Sequence, residues 1–287
     1  MLTVIANRLN AVFLAAILVV AAAGCAGGPA SARERISLSG PLIQGGLVLG
    51  QTEPGAVVNL DGIPIMVDPT GAFGFGFDRD YEPTATLSVR FADGSTEQWA
   101  LTIEQRDYDI QRIDGLPDSK VTPRTPEQIA HIQRDQAKKR KAREITHTGQ
   151  WYREPFIWPV TGRISGVFGS QRVLNGKPKR PHYGLDVAAP TGTAVKAPAG
   201  GVVRLAETDM YFEGGLIFLD HGHGIESAFL HLSRVDVEPG DQIAQGDVIG
   251  AVGSTGRSTG PHLHWSIRWA GQQLDPAYLV PPMEEAE

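Results

Sequence analysis

Turn punctuation constrains this chain more than any other feature. Over residues 36–103, Gly45-Gly46, Pro54-Gly55, Asp61-Gly62, Thr70-Gly71 and Asp93-Gly94 cut the sequence into pieces too short for helices. Between them run AVVNL, IPIMV, FGFGF, ATLSVRF and EQWALTI, which have β character. In FGFGF, Phe73, Phe75 and Phe77 fall on one strand face and the glycines on the other. This spacing predicts a small β-sandwich, Ig-like, over residues 36–105, with no polar constellation suited to chemistry. The pattern returns over residues 151–282 in RISGVFG, AVKAPAGGVVRLAE, LIFLDHG, ESAFLHL and HLHWSIRW. No amphipathic helix of ten residues interrupts it, so a second, largely antiparallel β unit is expected. The fold class is therefore all-β, in two units.

Residues 106–150 read as a polar helical linker between them. Thr125-Pro126-Glu127-Gln128 has the form of a capping box with proline at the first helical position, and a helix to about Ile145 is expected. Between Asp118 and Glu144 there are eight basic and four acidic residues, in a chain whose formal charge is −6. Lys138-Lys139-Arg140-Lys141 suits contact with an anionic surface. The thin apolar stripe points instead to a solvated linker helix that does not dock firmly. His131 and His147 read as surface histidines. The acidic balance of the whole chain excludes the basic footprint of a nucleic-acid-binding protein.

The N-terminus has one early positive charge, Arg8, followed by an uncharged apolar run from Ala11 to Ala23. Such a run is short for a bilayer span and has the length and flanks of a secretory leader. Cys25 follows Ala22-Ala23-Gly24, similar to a bacterial lipobox, although Ala22 stands where leucine is usual. This reading makes residues 1–25 a signal peptide and anchors the chain to a membrane through a lipid on Cys25. Cleavage after Ala30-Ser31-Ala32 and an uncleaved anchor are the alternatives. Cys25 is the sole cysteine, which excludes an intramolecular disulfide or a thiolate cluster. Any metal must be held by histidines and carboxylates.

Six of the eight histidines lie in residues 151–282. In Pro181-His182-Tyr183-Gly184-Leu185-Asp186, the glycine and proline disfavour a helix. On an extended strand, positions i and i+4 share a face, so His182 and Asp186 suit one metal ion together. In His262-Leu263-His264, two imidazoles share a strand face continued by Ser266 and Arg268. Leu263, Trp265, Ile267 and Trp269 fill the other face. Gly253 to Pro261 reads as a flexible loop into that strand. His231 is one polar residue in the apolar run FLHL, ordinary alone and notable beside the other two groups. His221 and His223, among glycines, read as a hairpin turn or substrate rim.

HYGLD, HL at His231 and HLH at His262 and His264 together resemble the lysostaphin/LytM-type zinc metallopeptidases. FGSQR, DVAAPTGTAVKAPAGGVV and GSTGRSTGPHLHWSI, which surround these motifs, match as well. The resemblance covers about residues 155–280. It implies a LytM-type peptidase domain at 151–282, with His182, Asp186 and His264 ligating Zn²⁺ and His231 and His262 as catalytic histidines. Three such ligands leave a fourth position for water, whose pKa zinc lowers towards about 7. The unligated histidines can take that water's proton, bond the oxyanion or protonate the leaving amine. Family members commonly carry tyrosine two residues before the HL histidine, where this chain has Phe229.

The resemblance further implies an endopeptidase that hydrolyses peptide bonds in peptidoglycan stem-peptide cross-links, and the lipobox-like leader makes it an exported, outer-membrane or periplasmic lipoprotein. Relatives that have lost zinc ligands instead bind and activate cell-wall amidases. Retention of all five residues argues against that alternative here.

Overall fold

Alternation of apolar and polar residues builds most of this chain into antiparallel sheets. The computed structural model describes residues 35–114 and 125–283; the leader and Cys25 lie outside them. Near the N-terminus, the strands Ile36–Ser39, Leu47–Thr52 and Ala72–Gly76 form one sheet. Ile63–Ile65, Val57–Leu60, Thr84–Arg90 and Thr96–Thr102 form a second. In Thr84–Arg90 the buried residues are Ala85, Leu87 and Val89, a strict alternation that puts one face in the core.

The larger sheet has eight strands. Seven run in the order Gln242–Ile243, Gly201–Met210, Gly214–Asp220, Ile225–Leu232, His262–Trp269, Leu185–Ala188, Arg163–Gly166; Gln272–Leu274 pairs beside His262–Trp269. All these pairings are antiparallel. Leu263, Trp265, Ile267 and Trp269 are buried as expected, and burying a side chain the size of Ile267 stabilises by roughly 1.5–3 kcal/mol.

One continuous core runs through both regions, from Leu38 to Val280. The strand Ala72–Gly76 explains how: it is buried on both faces. Phe75 meets Trp269 edge-on, with ring centroids 6.4 Å apart. A Cβ at Gly76 would stand 2.6 Å from Leu274 Cδ2, so only glycine permits this approach.

The expected capping box is present: Thr125 Oγ1 accepts from the Gln128 amide, and the Thr125 amide donates to Gln128 Oε1. The helix spans Pro126–Ala142, and it is not a solvated linker. Asp135 and Lys139 are buried. Asp135 Oδ2 accepts from the Tyr211 amide at 2.7 Å, and Lys139 pairs with Glu213. Lys138 reaches Glu207 at 2.8 Å, so half of the basic run is used within the chain. Docking is through charged groups, which is why the thin apolar stripe gave no sign of it. Before the helix, Ile110–Ile113 pairs parallel to Gln171–Leu174, tying this region into the C-terminal part.

Candidate metal centre

The strand His262–Trp269 lies between its partners so that Asp186 stands directly opposite His264. Facing residues of an antiparallel pair share a side, so the carboxylate and the imidazole project together from the face opposite the Trp265 core. His182 arrives differently from expectation. It lies in a loop ahead of the strand Leu185–Ala188, not on that strand. Its backbone is fixed to the neighbouring loop: the Gly169 amide donates to the His182 carbonyl and the His182 amide to the Ser170 carbonyl, both at 2.8 Å. Its Nδ1–H donates to the Val167 carbonyl at 2.9 Å, which leaves Nε2 as a lone pair facing the other two groups.

Three donor atoms meet there. His182 Nε2 is 3.0 Å from both Asp186 Oδ1 and His264 Nδ1, and His264 Nδ1 is 2.9 Å from Asp186 Oδ1. Ligands about 2.05 Å from a tetrahedral ion stand about 3.3 Å apart, close to this triangle. With the His182 proton committed to Val167, at most one proton is left to share among three acceptors. A cation satisfies all three, and the residues fit one. Glycines make room for them: a Cβ at Gly166 would lie 2.4 Å from Asp186 Oδ2, and one at Gly184 2.8 Å from His264 Nε2.

The electrostatics suit a cation as well. Burial raises the Asp186 carboxyl, but the imidazoles of His182 and His264 packed against it outweigh this and hold the group well below the usual carboxylate range. Burial pushes His264 down, only partly offset by Asp186, which favours the neutral, ligating imidazole.

His262 and His231 flank this triangle. The His262 ring donates from Nδ1 to the Gly260 carbonyl at 2.8 Å, and its Nε2 is 3.7 Å from Asp186 Oδ1. His231 donates from Nδ1 to the Thr255 carbonyl at 2.9 Å. Both therefore keep a lone pair on Nε2, and the two ring centroids are 4.8 Å apart. Burial, with His262 and His264 nearby, pushes His231 down to about 4.

A bulge aims His231. Phe229 stands opposite Trp265 and Leu230 opposite His264, so unbroken alternation would turn His231 to the core side. Between Ile217–Phe229 and Gly215–Leu232, however, two residues of one strand oppose one of the other. His231 takes a φ of 66° there, a left-handed conformation rare outside glycine, and its ring joins the histidines. Phe229, without the tyrosine hydroxyl, is fully buried in the core.

The remaining histidines stand elsewhere. His221 is not on a rim; it is fully buried, with Nδ1 on the Gly200 carbonyl and Nε2 on Ser227 Oγ. His223 occupies the expected turn between two strands and donates to the Met66 carbonyl at 3.0 Å. His131 contacts the Asp209 carbonyl at 3.2 Å, and the His147 amide donates to Asp220. Sequence reasoning missed the carbonyls of Val167, Thr255 and Gly260, which orient three of the imidazoles; a backbone acceptor has no residue-type signal.

Residues 180–276 match the model of peptidase family M23. A crystal structure of an M23 peptidase from Pseudomonas aeruginosa is 31% identical and covers 83% of this chain, which covers 94% of it, with a TM-score of 0.64. The chain belongs to peptidase family M23. Among M23 relatives, the "DD-carboxypeptidase/endopeptidase Mpg" of Neisseria meningitidis is 38% identical over 143 residues, 50% of this chain and 32% of that protein. The "Peptidoglycan DD-endopeptidase ShyA" of Vibrio cholerae is 37% identical over 123 residues, 42% of this chain and 28% of that protein. The chain thus spans about a third of the length of these curated M23 relatives.

Proposed function

We propose that this chain is an exported, zinc-dependent endopeptidase that hydrolyses peptide bonds in peptidoglycan stem-peptide cross-links. The convergence of His182 Nε2, Asp186 Oδ1 and His264 Nδ1 within 3.0 Å of one another carries this reading. Two imidazoles and one carboxylate are the donor set of catalytic zinc, whereas calcium and magnesium take oxygen ligands. When bound, zinc supplies Lewis acidity, polarising the scissile carbonyl and acidifying a water.

His231 and His262 do the proton work. Each has its Nδ1–H committed to a backbone carbonyl, so Nε2 is the atom that takes a proton from the attacking water. The Nε2–H so formed then bonds the developing oxyanion or passes to the leaving amine. The relatives named DD-endopeptidases support a D-alanyl cross-link as the bond, and a peptidoglycan substrate places the enzyme outside the cytoplasm. The apolar leader and Cys25 support export and a lipid anchor in the outer membrane or periplasm. In this reading residues 36–105 and 151–282 are separate units in sequence, the second bearing the chemistry.

Digestion of purified peptidoglycan by wild type and by His262→Ala, with products identified by mass spectrometry, tests the proposal. Release of uncross-linked peptides by the wild type alone is expected. Intact cross-links after wild-type digestion, with zinc bound, contradict it.

A further inference from the structure

The loop that orients His182 is itself held from the N-terminal part of the chain. Residues 167–170 make three hydrogen bonds to His182: the Val167 carbonyl to the ring, the Gly169 amide to its carbonyl and the Ser170 carbonyl to its amide. On its other side, the Gly169 carbonyl accepts from Arg79 Nε at 2.8 Å. Arg79 directly follows the sheet strand Ala72–Gly76 and its loop, and is only 6% exposed. Its guanidinium also pairs with Asp80 and lies 4.3 Å from the Tyr108 ring centre.

Gly169 is built for this two-sided grip. It has φ 84°, a left-handed conformation that glycine adopts freely. A Cβ there would stand 2.0 Å from Tyr108 Cδ1, so the ring closes on bare backbone. Two residues onward the hold continues: the Gln171 amide donates to the Asp109 carbonyl at 2.9 Å, and Ile110–Ile113 pairs with Gln171–Leu174. The segment behind His182 therefore has its position set largely by residues outside 151–282.

We propose that Arg79 is a positioning residue for the metal centre, acting through Gly169 on His182, so that the N-terminal module is part of the site's construction. This rests on the metallopeptidase reading above. Arg79 touches neither the ion nor the substrate. Its buried charge-assisted bond fixes the Gly169 peptide, and that peptide's neighbours fix the height and turn of the His182 ring.

The test uses the full chain and measures the metal as well as turnover. Zinc affinity is measured by competition with a chromophoric chelator for wild type, Arg79→Ala and Arg79→Lys, with Arg90→Ala, on the exposed part of the same module, as control. The visible spectrum of the cobalt-substituted protein reports ligand geometry. We expect Arg79→Ala to bind zinc about 10–100-fold more weakly, as loss of an outer hydrogen-bond partner does. We also expect it to shift the cobalt bands, with Arg79→Lys intermediate, because an ammonium still donates one bond to Gly169. If Arg79→Ala loses the fold, Arg79→Lys alone must still bind more weakly than Arg90→Ala. Wild-type affinity and spectrum in both Arg79 variants overturn the proposal. A wild type that takes up no zinc overturns the metallopeptidase reading and this proposal together.

Discussion

Replacing Lys139 by methionine leaves the Glu213 carboxylate without its partner in a place nearly closed to water. The side chains of the pair are 10% and 15% exposed. Removing one member of a fully buried pair costs about 3–5 kcal/mol; the remaining access to water brings the expectation to about 2–3 kcal/mol. For a chain of this size that lowers the melting temperature by about 3–5 °C. The damage is directed at the site, because the Glu213 carbonyl accepts from the His231 amide at 2.8 Å and helps hold the bulge. Urea unfolding of the full chain measures the stability, and kcat on peptidoglycan fragments measures the site. Lys139→Met is expected to lose both, and Lys139→Met with Glu213→Gln to recover most of the stability by removing the stranded charge. Lys139→Met within about 0.5 kcal/mol of wild type would show that Glu213 is not stranded by the loss of its partner.

His231→Ala and His262→Ala should each lower kcat by about 10²–10⁴ with zinc retained, read by steady-state kinetics and metal analysis; near-normal turnover in both removes their proton role. His221 is fully buried and pushed down to about 4 by burial. The unfolded state, with histidine near 6.5, binds the extra proton first, so stability is full above about pH 6.5 and falls as pH drops towards 4. Over that window the loss is about 3 kcal/mol, and urea midpoints for His221→Gln should show a flatter slope. Cys25→Ser should abolish incorporation of labelled palmitate and release the protein from the membrane fraction; unchanged fractionation with the label retained counts against a lipobox at Cys25.

Much of the fold and site could be read from local pattern. HLHWSIRW carries its own alternation, and the strand His262–Trp269 has histidines on one face and tryptophans on the other. The Thr125 box likewise starts its helix, since the signal spans only four residues. What escaped reading depends on distant partners. Lys139 is buried because Glu213 lies 74 residues onward, and nothing near Lys139 announces that carboxylate. His182 meets Asp186 through a loop pinned by residues 167–170 and not across a shared strand face, which the i and i+4 spacing could not show. His231 is aimed by a bulge that alternation cannot foresee, and His221 finds both its ring partners across the fold.

His182, Asp186 and His264 are proposed to hold the zinc with which this chain cuts peptide bonds. Zinc content per chain, measured after dialysis for wild type and for His182→Ala, Asp186→Ala and His264→Ala, tests it most directly. One zinc in the wild type and none in the three variants is expected. Zinc at wild-type stoichiometry in all three would contradict it.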